Sequence, residues 1–196
     1  MHHIYQTEGI VISGMGSGER SRRIWLFGRE VGLVVGKVQA GRALQSKLRN
    51  AVQDFTIGNF SLVRGKSEWK VVGARVGDNI FERVRSEPEK VRVAASILNL
   101  IKKLVEEGRE THELFDAVKN FMIHLPGIPA DDLKSAECLI LLRVLHKLGF
   151  LRADPDLVIC LEEEGITQTS LTTIQTHKQK TIQLINESLH ATEMSK

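Results

Sequence analysis

At 196 residues, 42% hydrophobic and 26% charged, the chain has the composition of a soluble globular protein with one generous domain or two small ones, and it lacks the uninterrupted run of roughly 18 to 20 apolar residues that a membrane span needs. Residues 1–20 do not show the basic start and apolar run of a signal peptide, and Cys138 and Cys160 have neither CxxC spacing nor neighbouring ligands, so a cytoplasmic location without a structural disulfide is expected. The net charge of +3 is unevenly placed: residues 1–85 hold 14 Lys and Arg against 7 Asp and Glu, the remainder 13 against 17, which directs the first part towards a polyanion.

In chain order, the first elements are short and rich in β-branched and aromatic residues. Strands are predicted over Ile4–Ser13, Ser21–Phe27, Leu33–Gln39, Phe55–Val63 and Trp69–Val76. Gly14, Gly16 and Gly18 suit a turn between the first two strands, and Arg64-Gly-Lys-Ser67 a tight connection between the last two. Hairpin-linked strands with one long interruption, Ala40 to Asp54, fit a small Greek-key barrel of the OB type better than a sandwich. Trp25, Phe27, Phe55, Phe60 and Trp69 are enough large side chains to fill so small an interior.

After Ser86 the period becomes helical. Ser86 is the expected N-cap of a helix whose Val91, Ala94, Ala95, Leu98, Ile101, Leu104 and Val105 recur every three or four residues. Thr111 opens a second helix with Leu114, Val118, Phe121 and Met122 on its apolar stripe, and Pro126 and Pro129 stop it. Asp131 or Asp132 caps a third, ending at Gly149. Leu157 to Leu161 is too brief to classify, and a single last helix is expected from Thr169 to about Leu189, with Ile174, Ile182, Ile185 and Leu189 as its apolar face. The predicted class is therefore α+β, with an OB-fold barrel over residues 1–82 and an all-α domain over 86–196.

Catalytic and cofactor motifs do not emerge. Gly65-Lys-Ser67 has the end of a phosphate-binding loop, but its leading position is Phe60 rather than glycine, and a strand replaces the helix that must follow. The seven histidines are scattered without metal-ligand spacing, and no nucleophile, base and acid can be assembled, so neither an enzyme nor a metal or cofactor is expected. What recurs is cations in and beside the strands: Arg20, Arg22, Arg23, Lys37, Arg42, Lys47, Arg49, Arg64, Lys66 and Lys70. Alternation along a strand puts Arg20 and Arg22 together and Arg23 opposite, which makes Arg23 the weaker choice. The expected backbone-binding set is Arg20, Arg22, Lys37, Arg42, Lys47, Arg49, Arg64 and Lys66.

Ile4-Tyr-Gln-Thr-Glu-Gly-Ile-Val11, Gly18-Glu19, Leu26-Phe27, Glu30-Val-Gly-Leu33, Ser46-Lys-Leu-Arg49 and Leu62-Val-Arg-Gly-Lys66, in that order and spacing, resemble the N-terminal domain of the RecO family of recombinational repair mediators. The resemblance covers nearly all of residues 1–80. It implies an OB-fold followed by helices, binding to single- and double-stranded DNA, strand annealing, and loading of RecA recombinase on DNA coated by single-stranded-DNA-binding protein. Partners implied are RecR, in some cases RecF, and the acidic tail of single-stranded-DNA-binding protein, with Lys102, Lys103, Arg143 and Lys147 as candidates to meet such a tail. It also implies a nucleoid-associated location. Many members carry a four-cysteine zinc module after a stretch like Leu148-Gly-Phe-Leu151; here that region holds Cys160, so no zinc is expected and residues 157–165 stand as a remnant or replacement. The competing readings are a protein-interaction scaffold, or an RNA-binding barrel without annealing activity.

Overall fold

The computed structural model describes residues 3–16, 21–39, 48–66, 68–163 and 165–194. The chain divides into two compact units, Met1–Phe115 and Asp116–Lys196.

The first unit is built on five strands, β1 (Ile4–Gly16), β2 (Ser21–Gly28), β3 (Gly32–Gln39), β4 (Thr56–Arg64) and β5 (Trp69–Asn79). They close into a barrel in the order β1-β2-β3-β5-β4, with every pair antiparallel except β3 and β5. Closure works because β1 is long enough to pair with two neighbours. Its first half faces β4 from Ile4↔Val63 to Ile10↔Ile57, and its second half faces β2 from Gly9↔Gly28 to Gly16↔Arg22. Where the two pairings overlap stands Gly9, at which a Cβ would lie 2.8 Å from Leu26 Cδ1 and 3.2 Å from Phe60 Cδ2. A strand that turns through a barrel corner with core side chains closing from both sides needs a residue without one.

Alternation then sorts the faces. Ile24, Leu26, Val34, Val38, Phe60, Leu62 and Val71 fill the interior, while Arg23, Val35 and Lys37 on the same strands point out. The outward face of β2 is progressively covered. Phe27 is fully buried with its ring 5.4 Å from Phe115, Trp25 is half-buried, and Arg23 is exposed.

The cover comes from the helices that follow the barrel, α1 (Ile80–Val84) and α2 (Pro88–Leu104), the latter packed on β1 and β2. Helix α2 buries Val93, Ala94, Ile97, Leu98 and Ile101, which share one face. Its N-cap is Glu87 rather than Ser86, because Pro88 takes the first helical turn, where a missing N–H costs nothing. The connection after α2 returns to the barrel through a bridge between Gly32 and Glu107. Gly32 has φ +67, and a Cβ there would stand 2.6 Å from the Arg109 carbonyl oxygen, so both conformation and approach demand glycine.

Helix α3 (His112–His124) carries the expected stripe of Leu114, Val118, Phe121 and Met122, all buried. In the second unit, α4 (Ala130–Lys147) is the central element, buried along Leu133, Ala136, Leu139, Ile140, Leu142, Val144 and Leu145. Pro129 occupies its N-cap position, so Asp131 and Asp132 lie inside its first turn, where their charge suits the helix dipole. Around α4 pack α5 (Val158–Glu162), α6 (Gln168–Thr176) and α7 (Lys178–Met194).

The expected single last helix is thus two. Thr167 and Ser170 form a capping box that starts α6, and the break falls at His177. On the last turns of α6 the Thr173 and Thr176 hydroxyls donate to the carbonyls of Thr169 and Thr172, a local competition that weakens helix continuation. The face α7 buries also differs from expectation: Thr181, Ile185 and Ser188 are inside, and Ile182 is exposed.

Candidate nucleic-acid interface

Pairing of β2 with β3 sets Gly28 opposite Gly32 and, five residues further up each strand, Arg23 opposite Lys37. Parallel pairing of β3 with β5 then sets Lys37 beside Lys70. Partners in register share a face. Arg23, Lys37 and Lys70 therefore form a row of three cations across the outside of the barrel. Val35, 36% exposed, continues the face beside them.

The β4–β5 turn closes one end of this row. It is held by the Gly65 N–H donating to the Glu68 carbonyl at 3.0 Å. Glu68 turns back onto the row, with its carboxylate 3.4 Å from Arg23 and 3.5 Å from Lys37. Arg64 lies over the Trp69 ring at 5.6 Å, and the Trp69 indole N–H donates to Glu107 at 2.8 Å. Glu107 is also 3.9 Å from Arg64. Tyr5 meets Trp69 edge-on at 5.1 Å, and His3 meets Tyr5 at 4.5 Å. Between these groups runs an open cleft of about 550 Å³, lined by Arg23, Val35, Arg64, Lys66, Glu68, Trp69 and Glu107. It is a mixed site in which cations predominate and two carboxylates are fixed among them.

The structure distributes the sequence-predicted cations unevenly. Lys37, Arg64 and Lys66 come together at the cleft and its row. Arg49 is exposed on the turn after Leu48 and is not among the residues that line the cleft. Arg20, Arg42 and Lys47 lie outside the described residues.

Arg22 is in register with buried Val38, so it belongs to the inward face at the barrel end, where it donates to Asp54 at 2.8 Å. Its Nε is buried and has no hydrogen-bond partner among the described residues. Arg23 is the outward residue of β2, while the Arg22 side chain, still 40% exposed, is engaged with Asp54 at the barrel end. The strand's own neighbours, Ile24 and Leu26, carried the signal, since they share Arg22's parity and are core. Glu68 and Glu107 were missed because a search for cations passes over the groups that hold them.

The helical cations also separate. Lys102 sits 3.6 Å from the centre of the Trp25 ring and donates to Ser13 Oγ at 3.4 Å, so it covers an indole face. Lys103 is exposed and Lys147 half-buried. Arg143 is 7% exposed, with its guanidinium donating to the carbonyls of Cys160, at 2.7 Å, and of Gly165. Burial lowers its pKa from the ordinary arginine value. It thus braces the Cys160 and Gly165 backbone from within the second unit. Cys138 and Cys160 are buried free thiols, both pushed up by burial. Among the described residues no group of three His, Cys, Asp or Glu side chains could hold a metal ion, and no helix is long and apolar enough to cross a membrane.

A five-stranded barrel closed in this order, with exposed cations on its β2–β3 face and β4–β5 turn, defines an OB-fold. Residues 1–73 match the family model described as Recombination protein O N terminal. The chain is 29% identical over 147 residues to DNA repair protein RecO of Pelotomaculum thermopropionicum, covering 75% of this chain and 56% of that one. It is 28% identical over 113 residues to DNA repair protein RecO of Alkaliphilus metalliredigens, covering 58% and 46%, and 21% identical over 168 residues to that of Thermoanaerobacter, covering 83% and 65%. The chain is thus similar to proteins of the RecO family, most specifically over its first 73 residues. It spans about half the length of the curated relatives it matches.

Proposed function

We propose that this chain is a DNA-binding recombination mediator, not an enzyme, whose barrel holds the sugar–phosphate backbone along Arg23, Lys37 and Lys70 and around the Arg64 to Lys66 turn. The observation that carries the reading is the cross-strand cation row on an OB-fold whose family relatives are named DNA repair proteins. A row of cations neutralises phosphates without reading bases, which suits a protein that must act on any sequence. Arg20, Arg42, Lys47 and Arg49 are further candidate phosphate-binding cations in this reading, while Arg22 braces the barrel end through Asp54. Strand annealing and loading of RecA on DNA coated by single-stranded-DNA-binding protein follow as the activities of such a mediator. RecR, in some cases RecF, and the acidic tail of single-stranded-DNA-binding protein are its protein partners, with Lys103 and Lys147 the helical cations for that tail, and its location is cytoplasmic with the nucleoid.

The test is binding of a fluorescent single-stranded oligonucleotide over a salt series, followed by an annealing assay. A site that neutralises about 4 to 6 phosphates gives a log–log slope of roughly −3 to −4. Replacing Lys37, Arg64 and Lys66 together by Ala weakens binding of all sequences alike and flattens the slope. Salt-insensitive binding, or none, overturns the reading, and preferential retention of RNA over matched DNA redirects it to RNA.

A further inference from the structure

Glu68 is placed where an anion is wanted. Its two carboxylate oxygens are shared between cations from adjacent strands, Oε2 towards Arg23 at 3.4 Å and Oε1 towards Lys37 at 3.5 Å, with Lys70 next along the row. These separations are longer than the roughly 2.7–2.9 Å of a committed charge-assisted bond. The Arg23 side chain is 51% exposed, so solvent and competing anions reach the pair. The carboxylate rides on the β4–β5 turn, where the Gly65 N–H donates to the Glu68 carbonyl, and no other acid is paired with these two cations among the described residues.

We infer that the Glu68 carboxylate occupies a phosphate subsite: Arg23 and Lys37 together receive one backbone phosphate of the nucleic acid, and Glu68 is the built-in competitor that the phosphate displaces. The inference rests on the barrel being a nucleic-acid binder and adds which phosphate position is contested and by what. A competitor of this kind weakens binding of all sequences alike and leaves the cations ordered before the strand arrives. It also favours a polyanion, which engages the rest of the row while it displaces the carboxylate, over an isolated anion.

The experiment compares wild type, Glu68→Gln and Glu162→Gln, the last an exposed glutamate of the second unit that makes the same change in net charge. Binding to one single-stranded oligonucleotide is measured over a salt series, with thermal melts to verify folding. Glu68→Gln is expected to tighten binding about fivefold beyond Glu162→Gln, the scale of one unscreened charge near the surface, and to steepen the salt slope by about 0.7. The gain is expected to vanish in an Arg23→Ala, Lys37→Ala background, because the freed cations are then absent. Glu68→Ser repeats the test should the glutamine disturb the turn. If Glu68→Gln binds no tighter than Glu162→Gln, or its gain persists without Arg23 and Lys37, the subsite is refuted while wild-type binding still supports the barrel as a binder. Absence of binding by wild type and both Glu68 variants refutes both.

Discussion

Single residues carry the clearest cost in the second unit, where helix α7 buries a hydroxyl that does nothing. Thr181 is fully buried and its Oγ1 has no hydrogen-bond partner among the described residues, while Ile185 and Ser188 on the same face are also buried. A hydroxyl taken from water without a partner costs on the order of 1–3 kcal/mol, whereas valine has nearly the same shape and needs none. Thr181→Val is therefore expected to stabilise the protein by about 1 kcal/mol, read as a higher urea midpoint at unchanged m-value. A lower midpoint would mean that the hydroxyl is satisfied in solution. Arg143 is only partly compensated. Its guanidinium donates to the carbonyls of Cys160 and Gly165, while its Nη2 is buried with no hydrogen-bond partner among the described residues. Nothing in the sequence distinguished the two cases, because burial of a polar side chain depends on which helix turns towards it.

At the scale of elements, much was legible and the failures have identifiable causes. All five strands appear within a few residues of their expected ends, because β-branched runs bounded by glycine define them locally. The candidate site was legible in composition but not in geometry. Lys37, Arg64 and Lys66 were identified from charge, whereas the row they join needs the register of three strands, and register is a property of pairing rather than of any one segment. The break at His177 was hidden since no glycine or proline marks it.

The segment before α5 is tied to α7 by Lys180, which is 2.7 Å from both Asp154 and Asp156. The hydrogen bond from Lys180 holds the Asp154 carboxyl below its ordinary value. Folded Asp154 thus binds a proton more weakly than unfolded Asp154. Its contribution is present above the ordinary carboxylate range near pH 4 and fades as pH falls through the lowered folded value. Hydrogen exchange of amides at 154–160 is expected to accelerate in that acid window in wild type, and Asp154→Asn is expected to show part of that acceleration already at neutral pH. Equal exchange in the two proteins at neutral pH would mean that the ion pair does not hold the segment.

For the whole molecule, composition suggested a basic binding domain ending near residue 82 and a helical domain beginning at 86, and the contacts show what such a cut would remove. The compact unit built on the barrel runs to Phe115, and it includes α2, whose Val93, Ala94, Ile97, Leu98 and Ile101 are fully buried. It also includes Glu107, which accepts from Trp69, and Phe115 against Phe27. Each buried aliphatic side chain is worth roughly 1.5–3 kcal/mol, so loss of this face costs on the order of 5 kcal/mol or more, comparable to the whole stability of an ordinary domain. A fragment of residues 1–82 is therefore expected to be unfolded or aggregated at 25 °C. A fragment of residues 1–124, which keeps whole the helix that carries Phe115, is expected to melt cooperatively and, on the proposed function, to bind single strands with the salt slope of the full chain. Circular dichroism melts and the same oligonucleotide titration read both outcomes. Cooperative folding of residues 1–82 would make the barrel self-sufficient and reduce α2 to a cover. A folded 1–124 fragment with a shallower slope would instead place some of the phosphate contacts on the second unit, where the charge balance is acidic and only individual cations such as Lys147 could supply them.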